Sequence, residues 1–263
     1  MRELRVVVQG RRGRVAVARG LWAAAEVAVT LGVVVLLLVV HQLWWTNRQA
    51  REDARRQVQV LEREWERDRG RETVGDTGAG RGTGAGDGKG QREGGRQGEQ
   101  QAGGGNGRPS PRRWDHAYAV LRIPRLGVTA PVAQGIGKRG VLDKGYVGHY
   151  PQTAQPGQAG NFAVAGHRNT HGEPFRYIDR LRGGDRIEVA TRDAVFVYAV
   201  DTALPRTTPR DTGVIAPVPR SLVKPAAGYG ERGYYLTLTT CTPEYSSRYR
   251  LVVWGKLVSM RPR

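Results

Sequence analysis

The order of apolar and polar positions divides the chain into unlike stretches. Leu21 to Trp45 reads LWAAAEVAVTLGVVVLLLVVHQLWW, and from Val27 to Val40 only Thr30 and Gly32 interrupt the apolar run. A helix of about 20 such residues crosses the hydrocarbon core of a bilayer. Trp22 and Trp44-Trp45 stand where interfacial aromatics are expected. Residues 46–69 then place Val58, Leu61 and Trp65 at i, i+3 and i+7, with opposite charges three or four apart. That spacing predicts a charged juxtamembrane helix or a short coiled coil. From Trp114 the texture changes to short β-like runs: Tyr118–Ile123, Phe162–Ala165, Arg186–Ala190, Val195–Asp201, Tyr234–Thr239 and Arg250–Leu257. Gly, Pro, Asp and Asn separate them. Pro174–Leu181 suits one or two helical turns, with Pro at its start and Gly183-Gly184 after it. No βαβ alternation and no internal repeat occurs. The pattern predicts a mainly β domain, an antiparallel closed barrel or sandwich with few helices.

Composition sharpens the divisions. Of the 37 glycines, 16 lie between Gly70 and Gly107, a stretch without an aromatic residue. It cannot bury enough apolar surface to offset the entropy of ordering it. It reads as a disordered linker over 70–113, with a random-coil reach of roughly 35 Å. No strand precedes it and no GK[ST] lies in it, so a phosphate loop is not implied. The expected organisation is a basic segment at 1–20, a transmembrane helix at 21–45, the juxtamembrane helix at 46–69, the linker at 70–113 and a folded domain at 114–263. The last has 150 residues, enough for a core of its own.

Charge supplies orientation rather than a nucleic-acid partner. The chain holds 42 Lys+Arg against 24 Asp+Glu, a net +18. No dense basic stripe with interleaved aromatics and no nucleic-acid-binding motif accompanies it, so no nucleic-acid partner is expected. Residues 1–20 carry six arginines and one acid, whereas residues 46–69 carry seven arginines and six acids. The basic excess precedes the span, which predicts a cytoplasmic N-terminus and an extracellular domain. No small-x-small cleavage site ends the apolar run, which favours an uncleaved anchor in the plasma membrane over a signal peptide.

One thiol is available for chemistry. Cys241 is the only cysteine, which excludes an internal disulfide framework and an all-cysteine metal site. It closes the strong strand YYLTLTTC, where Thr237, Thr239 and Cys241 share one face and Leu236, Leu238 and Thr240 the other. Pro243 stops simple continuation, so the thiol stands where a strand opens into a loop, and Arg248 and Arg250 follow at the start of the next strand. A lone cysteine can equally be a small buried hydrophobe. A thiol reacts at neutral pH only with a base or cation beside it, since an unperturbed Cys–His pair is only about 1% thiolate–imidazolium. Five histidines compete for that role: His41, His116, His149, His167 and His171. His167 follows an apolar strand and a glycine in NFAVAGHRNTHGEPF.

The combination of AGHRNT, LTTCTP and RLVVWGKL, in that order behind a membrane anchor, resembles the class E sortases of actinobacteria. Leu238-Thr239-Thr240-Cys241 matches their L-x-T-C motif, Gly166-His167 their catalytic histidine, and Arg250 the arginine opening their next strand. The similarity covers about Tyr118 to Val258. It implies an eight-stranded closed sortase β-barrel with short helices. It implies a transpeptidase that cuts a C-terminal LAxTG- or LPxTG-like sorting signal between Thr and Gly and joins the threonine to a peptidoglycan-precursor amine. Cys241 is then the nucleophile, His167 the acid and base, and Arg250 the oxyanion or substrate-backbone donor. Around them Thr240, His149, His171 and Arg248 are candidates to line the substrate site. Class E sequences often carry tyrosine where this chain has His171. No acidic cluster suggests calcium, and neither a metal nor another cofactor is expected. The competing readings are a non-catalytic tethered binding domain and another envelope thiol enzyme. Intact Cys, His and Arg oppose the first. An L,D-transpeptidase would show an S-x-G-C-type loop, and a papain-like enzyme places its Cys before its His.

Overall fold

The structure, a computed structural model, describes residues 11–76 and 116–263. Residues 1–10 of the expected basic segment, and 77–113 of the expected linker, lie outside that set. One helix, α1 (Arg11–Asp76), precedes eight strands: β1 (Ala117–Ile123), β2 (Val128–Gln134), β3 (Val147–His149), β4 (Gly160–Ala165), β5 (Arg186–Ala190), β6 (Ala194–Thr207), β7 (Tyr234–Thr242) and β8 (Tyr249–Pro262). They close into a barrel in the order β1-β2-β3-β4-β7-β8-β6-β5, β5 pairing back onto β1. The pairs β2–β3 and β4–β7 are parallel and the other six antiparallel.

All six expected strand runs fall within these strands; β2 and β3 were not among them. Pro131 in the middle of β2 contradicts the usual reading of a paired strand, and β3 has only three residues. Gly148 in β3 is required by packing, since a Cβ there would lie 2.5 Å from the Gly135 carbonyl oxygen. Pro174–Leu181 yields only a short 3-10 turn, Ile178–Arg180. Alternation fills the barrel with Leu121, Ile123, Val132, Phe162, Val164 and Leu238 among others, all buried. The outward faces are covered twice. The segment between β6 and β7 lays Val214 over Leu204, Val252 and Trp254, and the Trp254 indole N–H donates to the Val214 carbonyl at 3.1 Å.

The second cover is α1. The span and the juxtamembrane segment are one continuous helix, which runs to Asp76 rather than ending at 69. Its first part is exposed from Leu21 to Val40, with mean hydropathy 2.6 and nothing buried, long and apolar enough to cross a membrane. Its second part does not pair with another helix. Ala50, Ala54, Val58, Leu61 and Trp65 form a buried stripe. Ala54 packs on Ala133, Val141 and Tyr146; Val58, Leu61 and Trp65 pack on Ala117, Val120, Ala190 and Val195. Burying Val58 and Leu61 contributes about 1.5–3 kcal/mol each in transfer free energy. The barrel is therefore joined to the apolar helix by packed α-helix, and the glycine tract connects the far end of α1 to β1.

His149 proves structural, which corrects its expected place at the substrate site. It has no exposed surface. Its Nε2–H donates to the Ala154 carbonyl at 3.1 Å, and Nδ1 accepts from the Tyr118 hydroxyl at 2.7 Å. Burial lowers its pKa to about 4, outweighing the bonds that favour the charged ring. The unfolded chain therefore binds an extra proton between about pH 6.5 and 4. Stability from this group is complete above that window and falls by up to about 3 kcal/mol as pH drops through it. We expect the urea midpoint of the detergent-solubilised chain to decline more steeply from pH 7 to 4.5 than that of His149→Gln. Equal slopes would contradict the assignment.

Candidate active site

The site is built by register. In the parallel pair β4–β7, Ala165 lies level with Thr239. The Gly166 N–H continues the ladder to the Thr239 carbonyl at 3.1 Å. Carried two residues past Ala165, the same register sets His167 level with Cys241. Across the antiparallel pair β7–β8, Cys241 lies directly opposite Arg250. Three adjacent strand ends, about 4.8 Å apart, thus present His, Cys and Arg in one row. Leu236, Leu238, Phe162, Val164, Leu251 and Val253 point into the core, so alternation turns this row toward the outer wall.

Side chains on either side of the row fix it. The buried Thr240 hydroxyl donates to the Gly166 carbonyl at 2.8 Å. Arg168, also buried, donates through Nη1 to the Thr242 hydroxyl at 2.9 Å and pairs through Nη2 with Asp179 at 3.2 Å. The neighbours of His167 on both sides are thereby fastened to the neighbours of Cys241. The Phe175 N–H holds the His167 carbonyl at 3.1 Å. Gly166 is needed there, because a Cβ would come within 2.7 Å of the Phe175 ring. Thr240 was expected to line the substrate site, its backbone being one route to that; its hydroxyl faces inward and is occupied as a fastener.

His167 has an acidic partner that the sequence did not disclose. Its Nε2 bonds the Asp143 carboxylate at 2.8 Å. Asp143 sits in the 3-10 turn Leu142–Lys144, capped by Gly145 in a left-handed conformation. His171 stands beside them, its ring centroid 5.3 Å from that of His167 and its Nδ1 3.8 Å from Asp143. Asp143, His167 and His171 offer ligand atoms within 4.8 Å of one another, a donor set that could hold a zinc-like cation. The carboxylate already bonded to His167 also matches the common arrangement that orients an imidazole.

The loop carrying His171 is held from outside. His171, Gly172 and Glu173 all have positive φ, +52°, +84° and +51°, a conformation that costs energy at the two non-glycine positions. The buried Glu173 carboxylate accepts from Arg51 at 2.7 Å and Arg176 at 2.8 Å. The Gly172 N–H donates to the Asn47 side chain at 2.6 Å, and Arg51 Nε donates to the Gly172 carbonyl at 3.2 Å. Asn47 and Arg51 belong to α1. A cleft of about 370 Å³ next to this contact is lined by Arg51, Arg55, Glu173, Arg176 and Tyr177 and includes neither Cys241 nor His167.

Cys241 is half-buried and free. Arg250 is half-buried, and its Nη1 donates to the carbonyls of Ser247 at 2.9 Å and Tyr249 at 3.0 Å. It thus braces the turn between β7 and β8. Arg248 precedes β8, is exposed, and lies over the Tyr249 ring at 5.4 Å. Asp143 and Arg168 are the site residues that sequence reasoning missed. Arg168 carried a signal, standing directly after His167. Asp143 carried none, being 24 residues away in a turn without a motif.

Residues 121–258 match the family model of the sortase domain. Sortase SrtE1 of Streptomyces coelicolor is 41% identical over 248 residues, covering 92% of this chain and 58% of that protein. The chain therefore spans less than two thirds of that relative's length. Sortase SrtE2 of the same organism is 34% identical over 259 residues, covering 95% of this chain and 87% of its own. Among solved structures, sortase E1 from Streptomyces coelicolor with a tripeptide in the active site is 51% identical. It covers 57% of this chain and 92% of its own, with a TM-score of 0.54.

The buried guanidinium yields a prediction. Arg168→Lys keeps the charge but cannot bridge Thr242 and Asp179 together. It should cost about 2 kcal/mol, read as a lowered urea midpoint of the detergent-solubilised chain. An unchanged midpoint would show that the fastening is dispensable.

Proposed function

The chain belongs to the sortase family, in its class E, and from that premise we propose that it is a membrane-anchored cysteine transpeptidase. Its substrates are surface proteins ending in an LAxTG- or LPxTG-like sorting signal, and its acceptor is a peptidoglycan-precursor amine. The observation that carries this reading is the row of His167, Cys241 and Arg250 across three adjacent strand ends.

The Cys241 thiolate attacks the threonine carbonyl of the Thr–Gly bond and forms a tetrahedral oxyanion. Arg250, opposite on β8, donates to that oxyanion or to the peptide backbone through its remaining N–H groups. With Nε2 held by Asp143, Nδ1 of His167 carries the proton to the departing glycine amine as the C–N bond breaks. The product is a thioester between the threonine and Cys241. The acceptor amine then attacks the thioester, His167 takes its proton, and the thiolate leaves. Asp143 orients the imidazole and stabilises the imidazolium that alternates with it. His171 and Arg248 border this site and would contact the signal peptide. The apolar helix anchors the enzyme in the plasma membrane, with the basic segment in the cytoplasm and the barrel outside.

Incubating the full chain with LAxTG and LPxTG peptides and an amine acceptor tests the reading. Ligated product should form and disappear in Cys241→Ala. His167→Ala should lower kcat/KM by about 10²–10⁴-fold. His171→Ala should retain turnover within about tenfold, because that ring is not the proton carrier. If His171→Ala abolished turnover while His167→Ala did not, the assignment would be overturned.

Asp143→Asn separates orientation from binding. The amide still fills the space but cannot stabilise an imidazolium. We expect kcat to fall by about tenfold or more with KM nearly unchanged. A change confined to KM would place Asp143 in substrate binding instead.

A further inference from the structure

Helix α1 meets the barrel at the catalytic end first. Asn47 and Arg51 bond the loop at Gly172 and Glu173. The Ala50 carbonyl packs so closely on Gly145, the residue capping the Asp143 turn, that a Cβ there would lie 2.9 Å from it. Further along, Trp65 packs beside Ala117 and Val195, and the Arg263 guanidinium lies over its ring at 4.5 Å. Ala117 opens β1, and Val195 is near the start of β6. Those positions and the chain end mark the opposite rim from the ends of β4 and β7. The end of α1 that continues into the apolar segment is thus the end beside His167 and Cys241.

The distance is short and the connection stiff. From Trp45, which closes the apolar run, to Arg51 is six residues, about 9 Å along a helix. No glycine or proline interrupts residues 33–69. The catalytic rim also displays amphipathic groups. Tyr245 in the turn after β7 is 78% exposed, and Tyr177 is 38% exposed beneath the guanidinium of Arg180. Tyrosine is enriched where a protein meets the headgroup layer, and arginine is attracted to anionic headgroups. Arg55 lines the cleft beside Arg51, near the same rim.

We propose that the catalytic rim of the barrel rests against the headgroup layer of the bilayer, held at fixed height by the docked helix, so that the enzyme works on bonds close to the membrane surface. This rests on the reading of residues 21–45 as a membrane span. Helix direction, short spacing and exposed tyrosines each point to the same rim.

The single thiol supplies the probe. The full chain is labelled at Cys241 with a donor fluorophore and reconstituted in vesicles of phosphatidylethanolamine and phosphatidylglycerol, with an acceptor on a fraction of the headgroups. Energy transfer should be efficient. An 18-residue helical insert between Thr46 and Asn47 adds five whole turns and keeps the rotational phase, lifting the barrel by about 27 Å. Transfer should then fall at least fivefold. With membrane-anchored sorting peptide, the insert should slow ligation severalfold while leaving turnover of soluble peptide unchanged. Low transfer in the parent chain, or no drop on insertion, overturns the placement. Flotation of the vesicles separates the two readings: a chain that floats without efficient transfer refutes the placement alone. A chain that fails to float refutes the span and the placement together. The transfer measurement needs no catalysis, so it stands apart from the fate of the transpeptidase assignment.

Discussion

The parallel seam between β4 and β7 is the constraint on which the site depends. No tight hairpin can join parallel strands, and β5 and β6 intervene between β4 and β7, so two distant segments must be brought level and kept there. The last ladder bond, from Gly166 to Thr239, ends just before the reactive residues. Beyond it, the Thr240 hydroxyl and the Arg168 guanidinium continue the fastening through side chains. His167 and Cys241 are then the pair left free between two clasps. A one-residue slip would turn one of them into the core and the other toward solvent, abolishing the pairing altogether. This explains a buried arginine so close to a catalytic centre: it is positioned by Thr242 and Asp179, and its work is done on the backbone.

The seam also orders the electrostatics. On one flank of the thiol lies an imidazole tied to a carboxylate, and on the other a guanidinium that braces its own turn. The guanidinium is placed to stabilise negative charge that develops beside the sulfur. Asp143, bonded to Nε2, holds the orientation of the imidazole. Three turns or loops converge to make this arrangement: 142–145, 171–175 and 243–249. Helix α1 touches the first two.

Much of this was legible in the sequence. The strong strand ending in Cys241, the apolar strand leading to Gly166-His167, and Arg250 opening the last strand carried their own signals, and their order named the family. The apolar run of α1 and the stripe at Val58, Leu61 and Trp65 were equally plain. What the stripe covers was not, because a helical period says that a face is buried and nothing about its partner. Pro131 hid β2, since a missing N–H argues against a strand until one sees which bonds it need not make. Asp143 was invisible because its partner lies across a turn closed by tertiary packing. His149 stands near motif residues, yet its environment was decided by burial.

Trp65, late in α1, packs beside Ala117 at the start of β1, on the rim distant from the site. The chain covalently leaves the anchoring helix there, but what attaches the barrel to that helix is the buried stripe and the ion pairs at Glu173, Arg122 and Asp68. The glycine-rich tract is a closure, and each doubling of such a closure costs only about 0.6 kcal/mol. Its length and composition are therefore free to drift without moving the catalytic row. The packing of the barrel on α1 does not run through that tract but through the buried stripe and these ion pairs.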